Sequence, residues 1–344
     1  MPRVLIPSDN RDFVGYLAAA YAARGWDAVV GMANFELMSS KFDLVHFQWP
    51  EEFSGWNPPD DARLAEIIAR LETWSQRSRL LMTAHNLLPH RQAEHPQFRR
   101  LYDAFYQRIP LLAHFTEASR DAIQREFPIA AQTTNIVTGY FNLDALVPPN
   151  RDPATARKRF GFERDEFVIL VIGGLREWEE VELVRDGFDA CRAKRKRLLM
   201  CGRLNEAGSS WQRRWHDFTW RRWLHSHKAA VIREFIPDPD VHRVVDAADA
   251  VIVPRLRSLN SGIPALAVSF GKITISPRCG SYPELFAGTQ HPIYAPGDSE
   301  DLATALDWAS EMDQTTVEAD CARLRESWSW HRIIDRIVTA VGLR

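Results

Sequence analysis

Short apolar runs alternate with amphipathic stretches through the first half of the chain. The runs predict parallel strands that are covered on both faces, because polar or turn-forming residues bound each of them. Between the first two runs, Phe13, Leu17 and Tyr21 share one helical stripe that ends at Gly25. This alternation is typical of a doubly wound α/β domain. The predicted strands are 4–7, 28–30, 44–47, 80–83, 111–115 and 135–137, and the predicted helices are 12–24, 61–76 and 117–127.

The alternation stops at 148–153, a proline-rich polar segment that is typical of a linker, and then starts again. The predicted strands of the second half are 167–172, 197–200, 230–233, 249–254 and one more before Gly280, and its predicted helices include 177–191, 209–225, 299–311 and 314–342. We therefore predict an α/β fold of two Rossmann-like domains that face each other across a cleft. Residues 1–150 form the first domain and 151–313 the second, and a terminal helix within 314–344 crosses back to the first domain.

Composition places the chain among ordinary globular proteins, with 45% apolar and 26% charged residues in a length of 344. The net charge of −2 argues against a general nucleic-acid-binding protein. The four cysteines form no C-x-x-C pair, which argues against a zinc site or a disulfide framework and favours a reducing compartment. The pattern predicts neither a signal peptide nor a membrane span, so we expect a cytoplasmic protein.

The second domain carries a predicted phosphate-binding site. Ser261 and Gly262 open a helix directly after a strand, so unpaired backbone N–H groups point to the carboxyl edge of the sheet. After another strand of the same sheet, Gly174 allows close backbone approach, and Arg176 can bind a diphosphate through both of its terminal nitrogens. Capping of a short helix and a solvated arginine are the alternative explanations of these residues.

Four further residues extend the predicted site. Asn260 precedes the helix cap, and Arg255 and Lys272 add positive charge unless they are plain surface residues. Glu284 ends the sequence Gly-Ser-Tyr-Pro-Glu that follows the last strand of the site. It either accepts a hydrogen bond from a ribose or sugar hydroxyl or only favours a helix N-terminus electrostatically.

Four segments resemble a known family of enzymes. They are VHFQWPEEF at 45–53, TAHNLLPH at 83–90, FIPDPDVHRVVDAADAVIVPR at 235–255 and SFGKITISPRCGSYPEL at 269–285. These segments are similar to the GT-B glycosyltransferases that transfer a sugar from a nucleotide diphosphate donor, notably the bacterial exopolysaccharide β-1,4-mannosyltransferases that act on lipid-linked glycans. The resemblance implies that the second domain binds the donor and the first domain binds the acceptor.

The chain departs from the pattern of this family at two places. Ser258 and Leu266 stand where retaining members carry a Glu-x7-Glu pair, and Glu179-Glu180 stands where Lys-Gly is common. These replacements favour an inverting enzyme or a divergent donor site. They also keep open a non-catalytic GT-B-like subunit that binds a nucleotide sugar or a glycolipid for a partner. A nucleotide-sugar epimerase or a phosphorylase on the same two-domain frame is a further alternative.

An inverting transfer needs a general base that removes the proton from the acceptor hydroxyl. The candidates follow strands of the first domain, because open α/β sheets bind ligands at their carboxyl edge. Glu51 is the first choice for this base and Asp9 is the second, while His85 orients the acceptor or a phosphate. We expect His46, which lies within a strand, to be a structural histidine of the core.

Tryptophans and arginines alternate in the predicted helix 209–225. Trp211, Trp215 and Phe218 share one face, which suits an interfacial helix on an anionic membrane. The alternative is an outer helix that packs these aromatic rings onto the sheet. The segment 99–106, with two arginines followed by aromatic residues, predicts a second membrane-facing patch in the first domain.

These observations lead to one principal hypothesis. The chain is predicted to be a glycosyltransferase at the cytoplasmic face of the plasma membrane. It would move a sugar from GDP-mannose, or from a UDP-sugar, to a lipid-linked oligosaccharide in exopolysaccharide synthesis. Arg176 and the turn 260–262 would stabilise the departing diphosphate, so we expect neither a metal ion nor another cofactor. The sequence Asp238-Pro-Asp240 indicates the start of a helix rather than a metal-binding loop.

Overall fold

The computed structural model of the protein describes residues 1–38, 40–89, 94–204 and 210–343. The chain divides into two compact units: unit 1 comprises Met1–Phe141 with Trp328–Arg344, and unit 2 comprises Asn142–Ser327. Each unit contains one sheet of six strands, and every pair of neighbouring strands is parallel. The predicted α/β fold class is confirmed.

The sheet of unit 1 has the strand order β2-β1-β3-β4-β5-β6 and confirms each strand predicted for the first half. The strands are β1 (Arg3–Ile6), β2 (Asp27–Val30), β3 (Leu44–Phe47), β4 (Arg79–Thr83), β5 (Leu111–His114) and β6 (Thr134–Val137). The helices before the linker are α1 (Arg11–Ala22), α2 (Met32–Leu37), α3 (Asp61–Ser75), α4 (Pro96–Arg108) and α5 (Glu117–Glu126). Because β1, β3 and β4 are neighbours and parallel, the loops that follow them meet at one edge of the sheet.

His46 lies in the core of unit 1, as predicted. Its side chain is fully buried in β3, where Nδ1 is 3.0 Å from the Tyr21 hydroxyl and Nε2 is 2.8 Å from Thr83 Oγ1. Burial lowers the pKa of His46 to about 3, so the ring is neutral at physiological pH. Both ring nitrogens therefore have partners, and the residue is structural.

The predicted membrane-facing patch at 99–106 is wrong. Helix α4 turns Tyr102, Phe105 and Tyr106 into the core, where each is at most 2% exposed. The two arginines of the segment lie on the outer side and form ion pairs, Arg99 with Glu126 and Arg100 with Asp61. The aromatic residues repeat at helical spacing because they pack on the core, Phe105 on Phe47 of β3 and both tyrosines on Phe127.

The sheet of unit 2 has the strand order β12-β11-β10-β7-β8-β9. Its strands are β7 (Phe167–Ile172), β8 (Lys196–Cys201), β9 (Ala230–Ile232), β10 (Ala250–Ile252), β11 (Ile273–Pro277) and β12 (Ile293–Tyr294). Its helices are α6 (Pro153–Arg159), α7 (Trp178–Ala190), α8 (Ser210–Ser226), α9 (Asp238–Val245), α10 (Gly262–Ser269), α11 (Tyr282–Leu285), α12 (Ser299–Glu311) and α13 (Gln314–Ser327). The strands β11, β10 and β7 are neighbours, so the loops after them share one edge.

The predicted terminal helix 314–342 is two helices, and each belongs to a different unit. α13 packs on α10 in unit 2, whereas α14 (Trp330–Val341) packs on α1 in unit 1. Trp328 lies in the break between the two helices. It is 4% exposed, and its ring centroid is 5.0 Å from that of Tyr140. The apolar stripe of α14 is buried and consists of Ile333, Ile334, Ile337 and Val341.

We expect Ile334→Ala to destabilise unit 1, although the residue lies far from that unit in sequence. Ile334 is fully buried, and removal of a buried aliphatic side chain costs about 2–5 kcal/mol. Differential scanning calorimetry should show an earlier unfolding transition. Thr339→Ala, an exposed position of the same helix, is the control and should melt like the wild type. Equal melting of both variants would contradict the assignment of α14 to the core of unit 1.

Candidate active site

Three loops of unit 2 converge at the carboxyl edge of its sheet. They follow β7, β10 and β11, which are adjacent strands. Gly173 follows β7 and faces two residues that follow β10. If Gly173 carried a side chain, its Cβ atom would lie 3.9 Å from Arg255 Nη2 and 4.0 Å from Ile263 Cδ1. The first two loops therefore touch, and this is the edge at which open α/β sheets bind ligands.

A buried ion pair joins these loops to helix α7. Glu180 Oε2 is 2.7 Å from Arg255 Nη1, and the two side chains are only 3% and 5% exposed. The same carboxylate oxygen accepts a hydrogen bond from the backbone N–H of Arg176 at 2.7 Å, and Arg255 Nη2 donates to the carbonyl of Gly174 at 3.0 Å. Burial raises the pKa of Glu180, and the nearby Arg255 opposes this shift. The ion pair therefore fixes the backbone of the loop at 174–176.

Arg176 lies beside this ion pair. Burial and the positive charge of Arg255 lower the pKa of Arg176 to about 10, so the guanidinium remains protonated at neutral pH. Glu180 and the side chain of Tyr282, the first residue of α11, also interact electrostatically with Arg176. Arg176 thus contributes a partly desolvated positive charge where the three loops meet.

Hydrogen bonds lock the loop after β10 to the loop after β11. Ser281 Oγ donates to Asn260 Oδ1 at 2.6 Å, and the Tyr282 hydroxyl donates to Ser258 Oγ at 2.8 Å. Gly280 has a φ of 52°, and a Cβ there would lie 2.1 Å from the carbonyl oxygen of Ser258. Only glycine permits this approach, so the two loops form one rigid surface.

The N-terminus of α10 opens onto this surface. Ser261 is the N-cap, and its Oγ accepts a hydrogen bond from the backbone N–H of Ile263 at 3.3 Å. A Cβ added at Gly262 would meet no atom within 4 Å outside its own helix and chain neighbours, so there is open space beside the first residue of the helix. The rest of the helix is buried from Pro264 to Ser269, which holds its axis in place. A capped helix N-terminus of this kind favours an anion.

The structure brings together five of the seven residues that the sequence predicts for donor binding, and a sixth lies next to them. Gly174, Arg176, Asn260, Ser261 and Gly262 lie at the carboxyl edge of unit 2. Glu284 is exposed in the first turn of α11, directly after the loop that follows β11. Its position is compatible with either of the two roles considered for it.

Lys272 does not belong to this group. It precedes β11 and therefore lies at the amino edge of the sheet, where Nζ donates to the carbonyls of Asp246 at 3.3 Å and Ala248 at 2.6 Å. Burial lowers its pKa to about 8. The helix α10 and the turn at Gly271 carry the chain from one edge to the other, so a phosphate-binding role for Lys272 is not supported.

A cavity of about 450 Å³ lies at the carboxyl ends of β8 and β9 in unit 2. Its wall includes Met200, Arg203, Val231 and the inner side of α8 at Trp220. The loop after β8 touches the loop after β7, because a Cβ at Gly202 would lie 2.4 Å from the carbonyl oxygen of Gly173. The cavity thus adjoins the anion site, and its volume falls within the range of about 300–1,000 Å³ that is typical of ligand pockets.

In unit 1, Asp9 and Glu52 lie together at the carboxyl edge. Asp9 is exposed, and its Oδ1 accepts a hydrogen bond from the backbone N–H of Met32 at 3.1 Å. Glu52 accepts from the backbone N–H of Asp9 at 2.6 Å and from Ser8 Oγ at 2.7 Å. Burial and the negative charge of Asp9 raise the pKa of Glu52. Glu52 is not among the residues predicted from the sequence, because two consecutive acids carry no signal of which one faces the edge.

Glu51 faces the core instead. It is 2% exposed, and its Oε2 accepts a hydrogen bond from the Tyr102 hydroxyl at 2.7 Å. Burial raises the pKa of its carboxyl. The 3₁₀ turn Pro50–Ser54 directs Glu51 inward, where it is out of reach of an acceptor hydroxyl. Its burial argues against Glu51 as the general base.

His85 is held in an aromatic setting at the same edge. Its ring stacks on Trp49 at 4.4 Å and contacts Phe13 edge-on at 4.9 Å, while Nε2 is 2.8 Å from Gln48 Oε1. Burial lowers the pKa of His85 to about 3, so the imidazole is neutral at physiological pH. A neutral ring can orient a hydroxyl by hydrogen bonding but adds no charge toward a phosphate.

The described part of the chain contains neither a metal-binding cluster nor a membrane-spanning helix. There, no group of three or more histidine, cysteine, aspartate or glutamate side chains is arranged to hold a metal ion. Asp238 and Asp240 lie in the first turn of α9, in agreement with the predicted helix start, and Asp240 is 2.7 Å from Arg243. No described helix combines the length and the apolar character that crossing a membrane requires.

The chain has the GT-B fold. It contains two parallel sheets of six strands, and solved structures with this fold match almost the entire chain. Sucrose-phosphate synthase from Thermosynechococcus elongatus matches with a TM-score of 0.71 at 15% identity, covering 99% of this chain and 98% of its own. HepE from Anabaena, in complex with UDP and glucose, matches with a TM-score of 0.72 at 15% identity over 99% and 100% of the two chains. A glycosyltransferase from Rickettsia africae matches with a TM-score of 0.70 at 12% identity over 99% and 98%.

These identities are low, so the matches establish the fold and leave the reaction to be inferred from the site. No protein-family model and no curated protein sequence matches the chain. The GT-B fold that the sequence resemblance implies is nevertheless confirmed over the full length.

We expect Glu180→Gln to destabilise unit 2 strongly. The variant leaves the guanidinium of Arg255 buried without its counterion, which costs about 3–5 kcal/mol when one partner of a buried pair is lost. Urea denaturation at neutral pH measures the free energy of unfolding. Glu179→Gln changes the neighbouring exposed carboxylate and should unfold like the wild type. If both variants unfold at the same urea concentration, the pair does not hold the loops together.

Proposed function

We propose that the protein is a glycosyltransferase that binds a nucleotide diphosphate sugar at the carboxyl edge of unit 2. The arrangement of Arg176 and the open N-terminus of α10 on neighbouring loops carries this proposal. A departing diphosphate gains negative charge in the transition state, and fixed positive groups aimed at that charge lower the barrier. The buried pair of Glu180 and Arg255 keeps these groups in place before the substrate arrives.

The first donor that we propose is a UDP-sugar. Support comes from HepE, whose structures contain UDP and UDP-glucose and which shares the fold over its full length. The cavity beside the anion site has room for a nucleobase. GDP-mannose, which the sequence resemblance favours, is the second candidate donor.

We assign activation of the acceptor to unit 1, with Asp9 as the general base. Asp9 is exposed at the edge, whereas Glu51 is buried and hydrogen-bonded to Tyr102. Glu52 holds the backbone of Asp9, and the neutral ring of His85 orients the hydroxyl. We propose inversion at the sugar carbon without a metal ion. A lipid-linked glycan of exopolysaccharide synthesis, acted on at the cytoplasmic face of the membrane, is the acceptor that the resemblance suggests.

We expect UDP to raise the melting temperature of the wild-type protein by several degrees and Arg176→Ala to remove most of this increase. Loss of a charged hydrogen bond costs about 1.5–3 kcal/mol, or roughly 10- to 150-fold in affinity. A thermal-shift panel of UDP, GDP and dTDP, with and without EDTA, measures the effect. Arg192→Ala is the control, because its side chain is 89% exposed in the loop before β8.

The panel also decides between the donors. A larger increase with GDP would replace the UDP-sugar by GDP-mannose, and loss of the increase in EDTA would contradict metal-independent binding. If no nucleotide changes the melting temperature, the proposed donor site is wrong.

We expect Asp9→Asn to lower kcat for UDP release from UDP-glucose by about 10²- to 10⁴-fold, the usual contribution of general base catalysis. Binding of UDP should not change, because Asp9 lies in unit 1. Glu51→Gln is the matched control and should retain kcat within a few-fold. The opposite ranking would make Glu51 the base. UDP binding by the wild type without any turnover would support the alternative of a non-catalytic subunit.

A further inference from the structure

Helix α8 presents an aromatic face to solvent. Trp211, Trp215 and Phe218 are 75%, 55% and 57% exposed, and their spacing of four and three residues places them on one stripe. Arg222 continues the stripe, and Arg214 lies beside it, both exposed. Large aromatic side chains on the outside of a helix contribute nothing to the core of unit 2.

The inner face of α8 packs against unit 2 through other residues. Trp220 and Leu224 are 4% and 3% exposed and lie against the sheet and the cavity. The alternative of an outer helix that packs its tryptophans inward therefore holds for Trp220 and fails for the stripe at 211–218. Attachment of the helix to its own domain does not explain the outer stripe.

Exposed apolar side chains are concentrated around this helix. Among the described residues, nine large hydrophobic side chains are exposed, and five of them fall within 211–235. Val231 lies in the cavity wall, so the exposed residues on the outer face of the helix itself are Trp211, Trp215 and Phe218. Single exposed apolar residues are ordinary, whereas a concentrated patch marks an interaction surface.

The charge of α8 complements an anionic partner. The helix contains four arginines and one aspartate, in a chain whose net charge is −2. Asp217 is already paired, with Arg221 at 2.7 Å and with Arg233. The positive charge that remains lies beside the exposed indole rings, which is the composition of helices that lie in the plane of a membrane.

We propose that the outer face of α8 docks unit 2 onto an anionic lipid bilayer. Trp211, Trp215 and Phe218 would enter the headgroup region, and Arg214 and Arg222 would pair with lipid phosphates. The convex surface of a single exposed helix suits a fluid bilayer, whose lipids rearrange around it. This surface is separate from the proposed donor chemistry and does not depend on it.

Vesicle co-sedimentation of the full-length protein tests the proposal. The wild type should sediment with phosphatidylglycerol/phosphatidylcholine vesicles and much less with phosphatidylcholine alone. The triple variant W211A/W215A/F218A should bind at least tenfold more weakly. The double variant R214E/R222E should bind the anionic vesicles more weakly, by more than about fivefold for each arginine that is replaced. Added salt should also weaken the binding of the wild type, because it screens the charges.

Trp308→Ala is the matched control, because Trp308 is 55% exposed on α12, like Trp215 on α8. It should bind vesicles like the wild type, and circular dichroism melting should show that all variants are folded.

Equal binding by the triple variant and the wild type would overturn the proposal, as would wild-type protein that stays in the supernatant. A dimer that the triple variant dissociates, without vesicle binding by the wild type, would instead make this face a contact between two copies. The thermal shift with UDP should be the same in every variant, so failure of the donor site is recognised separately.

Discussion

The ion pair between Glu180 and Arg255 is the interaction on which the carboxyl edge of unit 2 depends. One carboxylate oxygen binds a guanidinium from the loop after β10 and a backbone N–H from the loop after β7. Burial of two charges is costly, and here the pair is accompanied by the hydrogen bond from Arg255 to Gly174. Because Glu180 compensates Arg255 and accepts the backbone N–H of Arg176, it fixes both arginines at this edge of the sheet. The glutamate that replaces the glycine of the family pattern therefore has a structural role.

The fold could be predicted from the sequence because its strands are short apolar runs within parallel sheets. Two unit 1 helices, α2 and α4, are absent from the prediction. α2 has only six residues, and the arginines and aromatic residues of α4 predict a surface patch rather than a core helix. The division of the terminal segment at Trp328 was also missed. No glycine or proline marks it, and the apolar character continues through Trp330, so the break becomes visible only when α13 and α14 contact different units.

The candidate site could be predicted where the topology of parallel strands decides the position. Arg176 and Ser261 follow neighbouring strands, so their common edge follows from the fold class. Prediction failed where a local turn decides the direction of a side chain. A 3₁₀ turn places Glu51 in the core and leaves Glu52 half-buried at the edge, and this turn has no periodic signal that distinguishes consecutive residues. Lys272 is a different case, because it precedes β11 and the parallel topology alone places it at the amino edge.

Helix α8 connects three features of unit 2 within one rigid element. Its inner face forms part of the cavity wall, and its outer face carries the exposed aromatic stripe. His216, on its flank, stacks on Trp178 at 4.0 Å with an interplanar angle of 13°, and Trp178 follows Arg176 by two residues. A helix of 17 residues is about 25 Å long, so one element can carry all three features. Contacts within unit 2 occupy the inner face and the flank of α8, and they leave the outer stripe for a contact outside the unit.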